Sequence, residues 1–503
     1  MHSVPHRLRR VTPDNIALYN ALASRDPRFD GVFFVGVTST RVYCRPVCPS
    51  RTPGPKNCRF FTSAEAAERA SFRPCLRCRP ELAPGNAPVD DAHRIATLVA
   101  QRIEEGMLDD GARLDKIAER FGWSARQIRR LVHNELGVSP MELVLTRRLL
   151  LAKQLLTDTA LPVTNVAYAS GFSSVRRFND AFCKRYRMSP TRLRRAAAGR
   201  AVRSDGAESA RDAAFTLQLA YRPPFDWNGL IAFLAARAIR GVEWVSDDVY
   251  HRTVQLGAHT GWVRVRHAPG RHALLVDITH TLMPALPALL GRLRHLFDLS
   301  ARPDMIRERL GPDARLGRLI TRNPGLRVPG AFDGFEMAVR AVLGQQITVK
   351  AASTIAGRFA AAFGDAIATP HAELTRLAPG AERIAGARVE DVAALGIIRT
   401  RARSIIRLAE EVASGRLRLE AGTAADETMA RLMALPGIGA WTAQYIAMRA
   451  LRWPDAFPRE DIVLRKRLGG VTASRAEAMS QAWRPWRSYA TMHLWHWTVP
   501  DVR

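Results

Sequence analysis

Cysteine is scarce in this chain: six residues in 503, and none after Cys183. The second half therefore cannot hold a cysteine-ligated iron–sulfur cluster. Long apolar runs are missing as well, and no stretch approaches the roughly 20 uninterrupted apolar residues of a membrane span. The start, MHSVPHRLRRV, has no apolar run behind its basic residues, which reads against a secretory signal. A reducing cytoplasm is the expected compartment, without a membrane partner. Paired cysteines there read as metal ligands or reactive thiols before disulfides. Acidic residues are the third shortage: 47 Asp and Glu face 75 Lys and Arg, a formal net charge of +28.

That excess is spread along the chain, with 34 basic against 18 acidic residues up to 200 and 41 against 29 beyond. A polyanionic partner, most plausibly nucleic acid, fits a basic surface of this extent. A solvated surface from an arginine-rich genome is the plainer alternative. The length suggests roughly three or four domains, each able to bury a core.

Four of the six cysteines fall in two short stretches, RVYCRPVCPS and SFRPCLRCRP. Cys44-x3-Cys48 and Cys75-x2-Cys78 form two close thiolate pairs with 26 residues between them. Such pairs suit tetrahedral Zn2+, which favours sulfur and takes four ligands. Cys58 and Cys183 lack such partners and read as small buried hydrophobes. The stretch FFVGVTSTRVYCRPVCPSR, with FRPCLRCRP after it, resembles the amino-terminal module of the Ada methyl-phosphotriester repair family over about residues 15–82. The resemblance implies that Cys44 is both zinc ligand and methyl acceptor. Arg45 and Arg73 flank the ligands and are candidates to hold the DNA phosphate, or ordinary surface arginines. A purely structural zinc is the alternative reading of the cluster.

Residues 114–195 contain an internal repeat. IAERFGWS (117–124) recurs as VAYASGFS (166–173), and VSP (138–140) returns as MSP (188–190). In each copy an Ala permits close helix packing, a Gly takes the turn, and Ser124 or Ser173 is placed to cap the next helix. After Ser124, Ile128, Leu131 and Val132 form the buried stripe and leave Arg126, Gln127, Arg129 and Arg130 outward. After Ser173, Phe178 and Phe182 pack and leave Arg176, Arg177 and Asn179 free. Arginine and glutamine on the exposed face of a second helix suit major-groove readout. The doubled pattern resembles the AraC-type DNA-binding domain, two helix-turn-helix units joined by a long helix, here about 140–157. Residues 197–213 are small and polar and read as a linker.

From about 214 to 282 the pattern turns towards strands, in FTLQLAY, WVRVRH and HALLVDITH, around a helix-like LIAFLAARAI. Beyond 284 it is helical. There LPGIGAWTAQYIAMRA (435–450) reads as a helix-hairpin-helix whose Gly437 and Gly439 turn the backbone and offer N–H groups to a DNA phosphate. A Pro-containing loop and Asp461 follow. With YRPPFDWNGLIAFLAARAI, GFEMAVRAVLGQQITVKAA and WRPWRSYATMHLW, residues 214–497 resemble the alkylpurine glycosylase AlkA of the helix-hairpin-helix superfamily. The resemblance implies a catalytic carboxylate at Asp461, base-pocket aromatics at Phe233, Trp441, Tyr445 and Trp495, and DNA contacts at Gln345 and Gln346. Without it, Asp461 reads as a helix cap and the aromatics as core. Bifunctional relatives carry a lysine where this chain has Trp441, so simple hydrolysis is expected.

Two positions depart from the family. Gln346 stands where an apolar wedge is usual, and Ile462 where Tyr often follows the acid. The alkylguanine methyltransferase motif Pro-Cys-His-Arg, frequent in Ada proteins, does not occur.

The expected fold class is multidomain and mainly α. A small zinc-bound α/β module spans 1–82, a double helix-turn-helix 88–196 and the linker 197–213. A small mixed α+β sheet domain spans 214–295, and an all-α helix-hairpin-helix glycosylase domain 296–503. The expected function is an alkylation-damage response. It combines hydrolytic excision of 3-methyladenine-type purines, methyl acceptance by a zinc thiolate, and transcription regulation. The partners are damaged and promoter duplex DNA, with RNA polymerase implied for an activator at the bacterial nucleoid. The rival is a purely regulatory protein whose glycosylase half is a non-catalytic clamp on DNA.

Overall fold

The computed structural model describes residues 15–25, 29–30, 33–61, 64–80, 88–104, 106, 114–120, 123–197, 214–421 and 423–496. The expected linker lies almost wholly outside them. Two compact units emerge, Met1–Ile103 with Ala112–Leu143, and Glu104–Gly111 with Val144–Arg503.

In the first unit, four short strands form a sheet in the order β3-β1-β2-β4: β1 (Phe34–Val37), β2 (Val42–Cys44), β3 (Cys58–Phe61) and β4 (Arg73–Pro74). Helices α1 (Asn15–Ala23) and α2 (Ala64–Arg69) accompany it. Val35 is fully buried with Leu18, Leu22 and Phe33, while Phe34 and Tyr43 pack with Phe72. Gly36 is needed between them, because a Cβ there would lie 2.8 Å from both the Phe61 and Phe72 rings.

Helix α3 (Pro88–Glu104) precedes the first reader repeat, α4 (Leu114–Arg120) and α5 (Ala125–Leu136). The predicted stripe is buried: Ile128, Leu131 and Val132, joined by Ala125. Ser124 caps α5 in a capping box with Gln127. Gly137 ends the helix at φ +73°, and Ser139 caps α6 (Pro140–Asp158) in turn. The recurring Ser-Pro dipeptide is thus a helix-start signal, Ser at the cap and Pro at the first helical position. Helix α6 matches the predicted connecting helix, and the boundary between the two units falls within it.

The second repeat comprises α7 (Val163–Ala169), α8 (Val175–Tyr186) and α9 (Pro190–Ala197). Phe178 and Phe182 are buried as predicted. The cap is one residue later than predicted: Ser174, not Ser173, accepts from the Arg177 N–H at 3.2 Å. Cys183 is exposed on α8 and Cys58 is half-buried, so neither is the buried residue expected.

The mixed domain is one antiparallel sheet of β5 (Ala214–Ala220), β6 (Glu243–Ser246), β7 (Val249–Leu256), β8 (His259–Ala268) and β9 (Ala273–Thr279), ordered β5-β9-β8-β7-β6. The predicted helix is present but earlier, at Trp227–Ala235. The remainder is helical around one large apolar core. No helix among the described residues is long and apolar enough to cross a membrane.

Candidate functional sites

The cysteine cluster arises from sheet register. Strand β4 pairs with β2 in parallel, Tyr43 opposite Pro74, so Cys44 and Cys75 leave neighbouring strand ends together. The Cys48 N–H donates to the Arg45 carbonyl at 3.1 Å and the Arg79 N–H to the Cys75 carbonyl at 3.0 Å, turns that bring the second cysteine of each pair back. The four Sγ atoms lie within 4.8 Å of one another. Tetrahedral zinc with bonds of about 2.3 Å spaces its sulfurs by about 3.8 Å, so the donor set fits in number, element and spacing. Hydrogen bonds to Cys48 and Cys78, and burial, push the Cys44 thiol up. Thiols this close resist ionising together unless a cation joins them.

Arg45 does not serve as a phosphate contact. Its side chain is 0 % exposed and paired with Asp30, to which Nε donates at 2.7 Å. Nη1 reaches the Cys78 carbonyl at 3.3 Å, and the Arg45 backbone N–H points at Cys78 Sγ, 3.4 Å away. The residue braces the ligand loop from within. Arg73 remains exposed.

On the reader helices, Arg126, Arg129, Arg130, Arg176 and Arg177 are exposed. Gln127 is exposed too, but its amide oxygen is committed to the cap, accepting from the Ser124 N–H at 2.8 Å and hydroxyl at 2.9 Å.

The hairpin joins helices Ala425–Met433 and Ala440–Arg449. Gly437 has φ +83°, and a Cβ there would sit 2.3 Å from Ser404 Oγ. Nothing lies within 4 Å of the corresponding position on Gly439, which leaves its backbone open to an approaching phosphate. Gln345 braces this turn and does not point outward: its Nε2 donates to the Gly437 carbonyl at 2.9 Å and Thr442 Oγ1 at 3.0 Å. Gln346 is the exposed neighbour, held at φ +54°.

Asp461 turns out to be both cap and pocket acid. It caps helix Ile462–Arg467, Oδ1 accepting from the Leu464 N–H at 2.7 Å. Trp495 Nε1 also donates to Oδ1, at 3.1 Å, and Trp441 Nε1 to Oδ2, at 2.9 Å. The carboxylate borders a cavity of about 500 Å3 that Phe233, Trp441, Tyr445 and Trp495 also line. Trp441 and Tyr445 stack nearly parallel, 6° apart with centroids separated by 5.3 Å. Two of the four rings already carry a cation: the guanidinium of Arg237 lies 3.7 Å and that of Arg449 4.9 Å from the Phe233 centroid, and Arg449 also lies 5.5 Å from the Tyr445 centroid. Burial pushes the Tyr445 phenol up, but Arg449, Arg237 and Arg340 outweigh it and hold the group below its usual value. Arg449 Nη1 donates to its oxygen at 2.7 Å.

The same cavity is lined by a charge-balanced square that the sequence did not reveal. Arg340 pairs with both Glu243 and Glu336, and Arg252 bonds Glu336 at 2.9 Å. Glu243 and Arg252 are direct cross-strand partners on β6 and β7. An opposite-charge pair on a recognised hairpin is the signal that would have revealed half of it.

Four families match in chain order: the metal-binding domain of Ada (17–81), a helix-turn-helix domain (117–196), the AlkA N-terminal domain (216–333) and the HhH-GPD superfamily of base excision DNA repair proteins (339–488). A Mycobacterium tuberculosis protein described as a probable bifunctional transcriptional activator/DNA repair enzyme AlkA is 42% identical over 486 residues, 95% of each chain. The chain belongs to that family. DNA-3-methyladenine glycosylase 2 of Escherichia coli is 34% identical over 278 residues, covering 55% of this chain and 96% of its own. The bifunctional activator and repair enzyme Ada of the same organism is 33% identical over 123 residues, 24% of this chain and 33% of its own. This family member is thus a DNA glycosylase fused to a zinc-binding Ada module and a helix-turn-helix activator domain, and its partner is DNA.

Proposed function

We propose that the Asp461 pocket excises alkylated purines of the 3-methyladenine type by hydrolysis, without strand cleavage. The observation that carries this is the carboxylate fixed by three N–H donors beside a stacked Trp441–Tyr445 wall. The target base must leave the helix stack to reach it, and Gln346 is the exposed side chain placed to fill the gap. As the glycosidic bond breaks, its electrons go to the base and positive charge grows on the sugar, where an ionised Asp461 stabilises it. Water then adds at the sugar carbon and yields its proton to solvent. An N-alkylated purine is already cationic, so it departs without a general acid, and the electron-rich face of Trp441 favours it over a neutral base. Trp441 occupies the position where a Schiff-base lysine would be needed for lyase chemistry.

The Cys44 cluster is proposed to accept a methyl group from a DNA phosphotriester. Zinc, when bound, keeps the thiol deprotonated at neutral pH. Cys44 Sγ attacks the methyl carbon, the carbon–oxygen bond breaks, and the phosphate leaves as an ordinary diester anion. The cluster passes from net −2 to net −1, which strengthens its hold on DNA. Exposed Arg73 is the candidate phosphate contact. Arg126, Arg130, Arg176 and Arg177 are proposed to read the promoter, with RNA polymerase as the partner recruited in the cytoplasm.

The test is release of free base from methylated duplex DNA by the wild-type chain and Asp461→Asn. Asn caps a helix as well as Asp, so the fold is retained. The expected loss is about 10^2- to 10^3-fold, with methyl labelling of Cys44 unchanged. No release by either protein, despite tight DNA binding, would leave the clamp reading in its place.

A further inference from the structure

An edge strand leaves a row of backbone groups without a strand partner, and proteins cover such edges. Strand β5 is at the edge of the five-stranded sheet, yet Phe215, Leu217 and Leu219 are all buried. What lies against it is the connecting helix α6 together with the second reader repeat. Gln154, on α6, donates from Nε2 to the Gln218 carbonyl on β5 at 2.6 Å. Helix α7 packs on the 3-10 turn His280–Ala285 that follows β9, and Phe215 meets the His280 ring of the same turn at 5.5 Å. Leu155, Leu161 and Val166 from the reader belong to one unbroken apolar cluster with Phe215, Leu217 and Leu282 from the sheet domain.

We propose that the second helix-turn-helix repeat, with the connecting helix α6, is a docked part of the excision half, the α6–α7 face seated on the β5 edge. The two are held by this apolar seam and not by the connecting segment 197–213. DNA engaged through Arg176 and Arg177 is then tied to the same body that carries Asp461, so reading by this repeat and excision are linked.

The experiment places a protease site within residues 200–210 of the full-length chain, cleaves it with and without prior nuclease treatment, and follows size exclusion at micromolar concentration in high salt. The fragments are expected to elute together, near the 55.8 kDa of the intact chain, because an apolar seam is little affected by salt screening. Separate elution overturns the proposal. So does co-elution that disappears on nuclease treatment, since nucleic acid is then the bridge. Gln154→Ala, in a half-buried side chain at the seam, localises the contact: the cleaved variant should dissociate about tenfold more readily. An unchanged dissociation constant would place the association elsewhere and sink the assignment to this edge.

Discussion

The two residues proposed to react are held by opposite means. Asp461 sits at the start of a helix whose Leu464 is fully buried in the large apolar core of the excision half, and both of its oxygens are satisfied by the chain itself. Cys44 ends a three-residue strand over a few buried rings, and its neighbours are three more thiols that crowd it. A carboxylate with fixed N–H donors is complete as folded; a thiol cluster is complete only with its cation. On the proposed reading, the site that turns over is built on a packed scaffold, and the site that would be used once rests on a metal.

Removing the metal is the most severe way to break that comparison. Binding energies of zinc to small thiolate modules are about 10 kcal/mol or more and are folding energy. A chelator should therefore unfold residues 34–79 and abolish methyl labelling, while base release changes little. Hydrogen exchange resolved by segment would check both halves, and loss of excision on chelation would break the contrast. Next in size is the charged square in the pocket wall. Burial pushes the Glu336 carboxyl up, but Arg252 and Arg340 prevail and hold it at about 2. The folded value is depressed, so its stabilisation is full above the ordinary carboxylate value and lost as pH falls from about 4.5 towards 2. Glu336→Gln leaves the arginines short of a counter-charge and should cost the excision half about 3–5 kcal/mol. Calorimetry should show a lower Tm at neutral pH, a flatter acid limb, and no change in zinc affinity.

Much of this was legible from spacing. The cysteine pairs announced the metal, and the repeated Ala, Gly, Ser and Ser-Pro positions marked two similar units, with the cap right at Ser124 and one residue early at Ser173. What escaped were relations that only tertiary packing creates. Arg45 and Arg73 both stand within two residues of a ligand in sequence, yet Asp30 draws Arg45 wholly inside. Gln345 and Gln346 are adjacent and alike, but a left-handed backbone at Gln346 turns one outward while the other is spent on the hairpin. Ser173 and Ser174 are both competent caps, and the choice depends on where α8 begins. Local chemistry proposes such residues; a partner far along the chain decides between them.

The smallest effect expected sharpens the comparison most, because it asks whether the fixed donors matter or merely fill space. Oδ1 of Asp461 has two donors, the Leu464 N–H and Trp495 Nε1, whereas Trp441 Nε1 faces Oδ2. Trp495→Phe keeps an aromatic wall and leaves Oδ1 with one donor. Trp441→Phe keeps the stack on Tyr445 and removes the indole donor from Oδ2. A hydrogen bond to a charged group is worth about 1.5–3 kcal/mol, so Trp441→Phe should slow single-turnover base release about tenfold or more. Trp495→Phe should slow it several-fold less, since the helix cap still holds Oδ1. DNA affinity should be unchanged in both, which separates orientation of the carboxylate from damage to the pocket. Equal losses in the two variants, accompanied by weaker binding, would mean that the tryptophans act as walls alone.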